Sequence, residues 1–157
     1  MRTRTFTTLD ADPDGDEVRR EELRGNTYVV APVIAVREGV LNGGFLPAGE
    51  IQRSTPGWDG RPVTAPPEEP IHGNDAEPSG HPIGPDGEFE SANQSPYLET
   101  HVIGFLQNAE FVPDLSALRA EAWVNVERAR EVGKHAIEVL RRLAEGEPLD
   151  VSTGYWH

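Results

Sequence analysis

The ten residues from Thr27 to Val36, Thr-Tyr-Val-Val-Ala-Pro-Val-Ile-Ala-Val, are almost continuously apolar and rich in β-branched side chains. A run of this length without polar alternation is typical of a strand that is buried on both faces. Pro32 lies inside the run, and proline cannot donate a hydrogen bond to a neighbouring strand. The run therefore predicts a long buried strand with an edge position or a bulge at Pro32.

Two further strand-like runs, 100–112 and 117–124, are joined by Pro113 and Asp114. In the second run Leu118, Ala120, Ala122 and Val124 alternate with Arg119, Glu121 and Trp123, as in a strand with one buried face. The two runs therefore predict an antiparallel hairpin. Residues 4–9 predict another strand at the N-terminus, and residues 10–16 predict an acidic turn after it.

One long helix is predicted from about Val126 to Ala144. Asn125 is a good N-cap, and Gly146 and Pro148 are stop signals. Its apolar residues recur at spacings of three and four and form one stripe: they are Ala129, Val132, Ala136, Val139, Leu140 and Leu143. A short helix is predicted at 47–53, where Pro47 begins the first turn. The expected fold is α+β, a small, mainly antiparallel β-barrel or curled sheet with the long amphipathic helix packed on it.

Residues 65–99 are the least regular part of the sequence. They contain seven of the fourteen prolines and almost no periodic apolar pattern. This predicts a long irregular loop within a single domain that spans residues 1–157. Such loops are commonly functional, and they contribute few core contacts. Deletion of residues 66–78 is therefore expected to preserve the fold.

Composition excludes several classes of function. The formal net charge of −13 repels phosphates, so no nucleic-acid partner is expected. No apolar run approaches the roughly 20 residues that span a bilayer, so no membrane association is expected either. Without cysteine there is neither a disulfide framework nor a thiolate site.

The balance of charged residues predicts a halophilic origin. Lys134 is the only lysine beside thirteen arginines, and Asp and Glu are abundant. At molar salt the Debye length falls to about 3 Å, which screens the self-repulsion of an acidic surface. Such a protein is expected to fold better at high salt than in dilute buffer.

Without a thiol, the nucleophiles available at neutral pH are hydroxyl groups activated by an imidazole. The five histidines are His72, His81, His101, His135 and His157. The first two lie in the long loop, His101 opens a predicted strand, and His135 lies on the predicted helix. No compact pair such as His-x-x-x-His is present, so no metal or other cofactor is expected.

Ser152 lies in the segment Leu-Asp-Val-Ser-Thr-Gly near the end of the chain. Residue patterns alone favour an ordinary hydrogen-bonded serine in a strand. Gly154, however, allows a sharp backbone turn that brings the amides of Thr153 and Gly154 near the hydroxyl, as in an oxyanion site. Asp150 lies on the same face of the strand as Ser152. The pattern differs from the Gly-x-Ser-x-Gly elbow, so an α/β-hydrolase fold is not predicted.

Four segments between residues 27 and 155, taken in order, resemble the prohead proteases of tailed phages, in their branch of uncharacterised phage proteins. They are Tyr28-Val-Val-Ala-Pro-Val-Ile-Ala-Val-Arg-Glu-Gly-Val; Trp58-Asp-Gly-Arg-Pro-Val-Thr64; His81-Pro82 followed by Ser91-Ala-Asn93 and Val102-Ile-Gly104; and Gly146-Glu-Pro-Leu-Asp-Val-Ser-Thr-Gly-Tyr155. The last segment is the most specific. The family is related to the herpesvirus assemblins, which implies a serine endopeptidase on a barrel-like fold.

The resemblance implies roles for particular residues. Ser152 is the expected nucleophile and His81 the expected general base. Backbone amides of Thr153 and Gly154 are expected to hold the oxyanion, and His101 and Asp150 are alternatives for the third catalytic member. The implied partners are the viral major capsid protein and the scaffold. The chain is expected to form a homo-oligomer or to associate with the capsid.

The implied activity is cleavage of scaffold and capsid precursor proteins during maturation of a tailed virus. Its implied location is the viral procapsid or virion, and the host cytoplasm during assembly. Two readings from other classes stay open. One is a non-catalytic structural capsid component derived from the protease, and the other is an acidic binding module of a halophile.

The sequence departs from the family pattern in two places. A His-Pro pair is expected almost directly after Thr64, but Pro66 and Pro67 stand there, so residues 65–80 are interpreted as an insertion. The distance from His81 to the Ser91–Asn93 segment fits the family and favours His81 over His72. The family also builds its barrel partly from chain beyond the serine. The 157 residues are therefore expected to be an N-terminal fragment of a longer chain.

Overall fold

The computed structural model describes residues 2–9, 18–41, 43–68, 82–88, 90–147 and 149–156; for residues 2–9, 41 and 149–156 it describes the backbone. The strands are β1 (Arg2–Leu9), β2 (Arg19–Leu23), β3 (Asn26–Arg37), β4 (Gly39–Leu41), β5 (Gly44–Leu46), β6 (Pro62–Thr64), β7 (Val102–Val112), β8 (Ala117–Asn125) and β9 (Leu149–Trp156). The α-helices are α1 (Ala48–Ser54), α2 (Tyr97–Thr100), α3 (Val126–Val132) and α4 (Lys134–Glu145).

Five strands form one antiparallel sheet in the order β2-β3-β8-β7-β6. Two antiparallel ribbons, β1-β9 and β4-β5, accompany it. The predicted α+β class with a mainly antiparallel sheet is confirmed. Of the two predicted forms, a barrel or a curled sheet, the barrel is wrong, because closure requires the two outer strands to share a ladder. Here β2 and β6 are only five and three residues long and lie at opposite ends of the strand order.

The run that predicted a buried strand forms β3, which lies between β2 and β8 and is therefore not an edge strand. Pairing with β2 extends only to Val30, so Pro32 lies beyond it, opposite Glu121 of β8. Pro32 has no backbone N–H to donate. At its position β3 pairs, among the described strands, only with β8. The register of the β3-β8 ladder shifts between Ile34 and Val36, and not at Pro32.

The predicted hairpin is confirmed as β7 and β8, joined through a 3₁₀ turn at Pro113–Leu115. In β8 the residues Leu118, Ala120, Ala122 and Val124 are buried, and Arg119, Glu121 and Trp123 between them are half-buried, as the alternation predicts. Helices α1, α3 and α4 pack against the buried face of the sheet. The predicted helical stripe forms part of this core. The best buried members of the core are Val29, Ile51, Ile103, Leu118, Val124, Ala129 and Ala136.

The single long helix was a wrong prediction, because Gly133 separates α3 from α4. Its φ of 128° is strained for any residue with a side chain. The carboxylate of Glu68 lies in the gap, and its Oε1 accepts a hydrogen bond from the backbone N–H of Lys134 at 3.0 Å. A Cβ at position 133 would lie 2.4 Å from Cγ of Glu68. Glu68 thus caps α4 at the end where the helix dipole favours negative charge.

Both ends of the helical segment are capped as predicted. The side chain of Asn125 accepts a hydrogen bond from the backbone N–H of Arg128 at 3.0 Å. At the other end Gly146 adopts the left-handed conformation with a φ of 68°. The N–H of Glu147 then donates to the carbonyl oxygen of Arg142 at 2.9 Å, as at many helix C-termini.

Glu68 refines the prediction for the long loop. Deletion of residues 69–78 is expected to preserve stability, whereas deletion of 66–78 should lower the free energy of unfolding by about 1 kcal/mol more, since it removes the cap of α4. Urea denaturation followed by circular dichroism measures the difference. Glu68→Ala in the full chain is the matched control and should show the same loss. Equal stability of the two deletion variants would contradict the capping role.

The opposite face of the sheet carries aromatic and charged side chains. The rings of Tyr28, Phe105 and Trp123 lie 5.7–5.8 Å apart, centroid to centroid. Arg19 lies over Trp123 and donates a hydrogen bond of 2.5 Å to Glu121. This hydrogen bond holds the pKa of the Glu121 carboxyl below its ordinary value. Among the helices in the described ranges, none is long and apolar enough to span a membrane.

Candidate catalytic site

Ser152 lies in the middle of β9, the strand that follows α4. Its Cα is opposite that of Phe6 in β1, and Asp150 is opposite Thr8. Ser152 and Asp150 are thus at alternate positions of one strand, as predicted. β9 also contacts β3 and α4, so the nucleophile candidate lies on an element that borders the main sheet.

The expected sharp turn at Gly154 is not present. The β1-β9 ladder runs without a register shift from Leu149, opposite Leu9, to Trp156, opposite Arg2. Successive N–H groups of a regular strand point to opposite edges. The amides of Thr153 and Gly154 therefore point in opposite directions, and the backbone as it stands aims only one of them at any given oxyanion. Pairing of residues far apart in sequence keeps this segment extended.

The predicted base His81 lies outside the described residues, as do His72 and His157. Pro82, the next residue along the chain, is buried. The carbonyl oxygen of Pro82 accepts a hydrogen bond from the backbone N–H of Glu90 at 2.9 Å. The position next to His81 in the chain is therefore anchored in the fold.

His101 is the one buried polar or charged residue among those that the structure describes, with 2 % of its surface exposed. It follows α2 and directly precedes β7. Its Nδ1 lies 2.9 Å from Oγ1 of Thr100, and its ring lies edge-on against Tyr97 at 5.5 Å between centroids. The buried imidazole is tolerated because Thr100 forms a hydrogen bond with its Nδ1 and the ring of Tyr97 packs against it.

Two residues from other elements hold the backbone around His101 by three hydrogen bonds. The N–H of Ala65, just after β6, donates to the carbonyl oxygen of His101 at 3.0 Å. The guanidinium of Arg128 in α3 donates to the carbonyl oxygen of Val102 at 2.9 Å and also to that of Glu99. One arginine thus binds carbonyl groups on either side of the histidine, which holds the backbone at His101 in place.

Tyr97 and Glu90 connect His101 to the Pro82 segment. The hydroxyl of Tyr97, a residue that is 1 % exposed, donates to Oε2 of Glu90 at 2.5 Å. The same hydroxyl lies 3.3 Å from the carbonyl oxygen of Ile83. Sequence reasoning missed both residues. The available signal was an aromatic residue within a loop of prolines, glycines and polar residues, which is typical of a buried anchor.

Sheet topology separates His101 from Ser152 in strand order. A closed barrel could place the strand opened by His101 beside that of Ser152, but β7 is paired with β6 and β8. β9 is paired with β1 in a separate ribbon. Strand pairing therefore does not make the two residues neighbours, because the sheet is open.

Metal chemistry has no candidate site in the described part of the chain. No group of three His, Asp or Glu side chains within the described ranges is arranged to hold a metal ion. Comparisons of the chain with protein families, with curated proteins and with solved structures found no match. A function must therefore be inferred from the residues of this chain and from the resemblance of its motifs.

Proposed function

We propose that the chain is a serine endopeptidase of the prohead-protease type, which cleaves scaffold or capsid precursor proteins during maturation of a tailed virus. Ser152 is the nucleophile and His81 the general base. The observation that carries the proposal is the segment from Gly146 to Tyr155. Helix α4 is closed by Gly146, and β9, which contains Ser152, begins at Leu149. The resemblance implies such a helix-strand unit around the nucleophile.

The proposed reaction is an ordinary acyl transfer. The hydroxyl oxygen of Ser152 attacks the carbonyl carbon of the scissile bond while the imidazole of His81 takes the hydroxyl proton. Collapse of the tetrahedral adduct breaks the C–N bond, and the imidazolium returns the proton to the leaving amine. Water then attacks the acyl-enzyme ester with His81 as base again, which releases the acid product and restores Ser152.

His101 is the better supported candidate for the third member. A group that orients a catalytic base must itself be held in place. His101 is buried and is fixed through Thr100, Ala65 and Arg128. Asp150 shares a strand with Ser152, and its candidacy rests on that alternation alone. In the proposed mechanism, one amide of the Thr153–Gly154 pair supports the oxyanion.

One observation favours the second candidate function, a non-catalytic structural capsid component. The ladder through Ser152, Thr153 and Gly154 is uniform, whereas an oxyanion site in acyl-transfer enzymes commonly uses convergent donors. A strand that pairs with β1 along its whole length can serve a structural role without any rearrangement of its backbone. The proposed partners, a capsid protein and a scaffold within a procapsid, are common to both candidates.

Reaction with diisopropyl fluorophosphate tests the peptidase proposal directly. An activated serine is phosphorylated, whereas ordinary hydroxyl groups are not nucleophilic enough. We expect one added phosphoryl group at Ser152, measured by intact mass and peptide mapping, and none in Ser152→Ala. The buffer should contain molar KCl, where the Debye length of about 3 Å screens the acidic surface. A folded protein that is not labelled at Ser152 would favour the structural component.

A further inference from the structure

The buried Tyr97 and the half-buried Glu90, close to His101, form a second feature that the reaction itself does not use. Glu90 lies at its centre. Its backbone N–H binds the carbonyl oxygen of Pro82, and its Oε2 accepts from Tyr97 at 2.5 Å. The side chain of Gln94 also donates to this oxygen at 3.3 Å. The backbone of Glu90 is thus bound to Pro82, and its carboxylate is bound by two side chains.

Gly84 shows how closely this carboxylate packs. A Cβ at position 84 would lie 2.4 Å from Oε1 of Glu90, so a larger residue would displace the side chain. Gly84 is buried, and its N–H donates to the carbonyl oxygen of Glu88 at 2.8 Å. Pro82 to Gly84 therefore lie in a fixed position against Glu90.

Tyr97 connects this segment to His101. Its hydroxyl reaches Glu90 and approaches Ile83, whereas its ring packs edge-on against the imidazole of His101. One buried side chain therefore contacts both the segment that starts one residue after His81 and the second histidine. Displacement of Tyr97 moves both.

We infer that Tyr97 and Glu90 are positioning residues of the peptidase proposed above, on which this inference rests. They hold the imidazole of His101 and the Pro82–Gly84 backbone in one arrangement. Neither side chain is required to touch the substrate. Their effect on catalysis is indirect, because the geometry of a base and its partner must be kept within a fraction of an ångström.

Tyr97→Phe tests the inference, because it removes only the hydroxyl. We expect kcat for a precursor-derived peptide to fall about 10- to 100-fold with KM unchanged, since misplaced groups lose transition-state stabilisation. Tyr28→Phe on the opposite face of the sheet is the matched control and should retain full activity. Glu90→Gln keeps an acceptor oxygen and should be closer to wild type than Glu90→Ala.

Histidine ring signals in ¹⁵N-labelled protein give a readout that does not depend on activity. They are assigned with His81→Ala and His101→Ala. We expect both signals to shift in Tyr97→Phe and neither in Tyr28→Phe. Unshifted signals, or a kcat equal to that of Tyr28→Phe, would overturn the inference. If the wild type is as inactive as Ser152→Ala, the proposed function fails, and the two ring signals alone decide whether Tyr97 positions the histidines.

Discussion

Ser152→Ala is expected to abolish processing of a capsid or scaffold precursor while the protein stays folded. Removal of the nucleophile of a serine peptidase typically lowers kcat by a factor of about 10⁶, because the acyl-enzyme can no longer form. Loss of one hydroxyl at a strand position should change the free energy of unfolding by only about 0.5 kcal/mol. Co-expression with the precursor, followed by mass analysis of the products, measures the effect.

Ser54→Ala is the matched control for this experiment. Ser54 in α1 carries an exposed hydroxyl that binds the indole N–H of Trp58 at 2.9 Å, so its loss should leave processing unchanged. Circular dichroism in molar salt verifies that all three proteins are folded. Normal processing by Ser152→Ala would remove Ser152 from the chemistry and leave the structural capsid component as the better function.

His81→Ala is expected to lose activity about as completely as Ser152→Ala, and the double variant should be no worse than either single variant. Nucleophile and base act as one unit, so removing the second group after the first costs little. The residual rate in each case, about 10³- to 10⁴-fold over water in known peptidases, comes from binding and oxyanion stabilisation. Single-turnover cleavage of a precursor-derived peptide measures these rates.

His72→Ala is the matched control for the base, since His72 lies in the same Pro/Gly-rich stretch. If residues 65–80 are an insertion, this variant should be fully active. The opposite result, with His72→Ala inactive and His81→Ala active, would assign the base to His72. Loss of activity in His101→Ala alone would transfer that role to the buried histidine, provided that the variant is folded.

Local patterns in the sequence were sufficient to predict much of the fold. The alternation in β8 and the stripe of α3 and α4 identify buried faces, because side chains two, three or four residues apart share a face by backbone geometry alone. The cap at Asn125 and the stop at Gly146 also involve residues only a few positions apart. Such signals need no knowledge of the rest of the chain.

The break between helices α3 and α4 at Gly133 could not be predicted from local patterns. A glycine within an otherwise continuous stripe is tolerated in many helices, at a cost of about 1 kcal/mol. Here the carboxylate of Glu68 accepts a hydrogen bond from the backbone N–H of Lys134, the first residue of α4, which is 66 positions away in sequence. The decision to end one helix and begin another therefore depends on a contact that no local pattern encodes.

The candidate site shows the same division. Residue types limited the candidates to hydroxyl groups and the five histidines, and the resemblance to the prohead proteases then selected Ser152 and His81. Only tertiary structure paired β9 with β1 and kept Gly154 in an extended strand. Only tertiary structure buried His101 among Tyr97, Thr100 and Arg128. Burial and long-range pairing depend on which surfaces meet when the chain folds, and the spacing of residues along the chain does not contain that information.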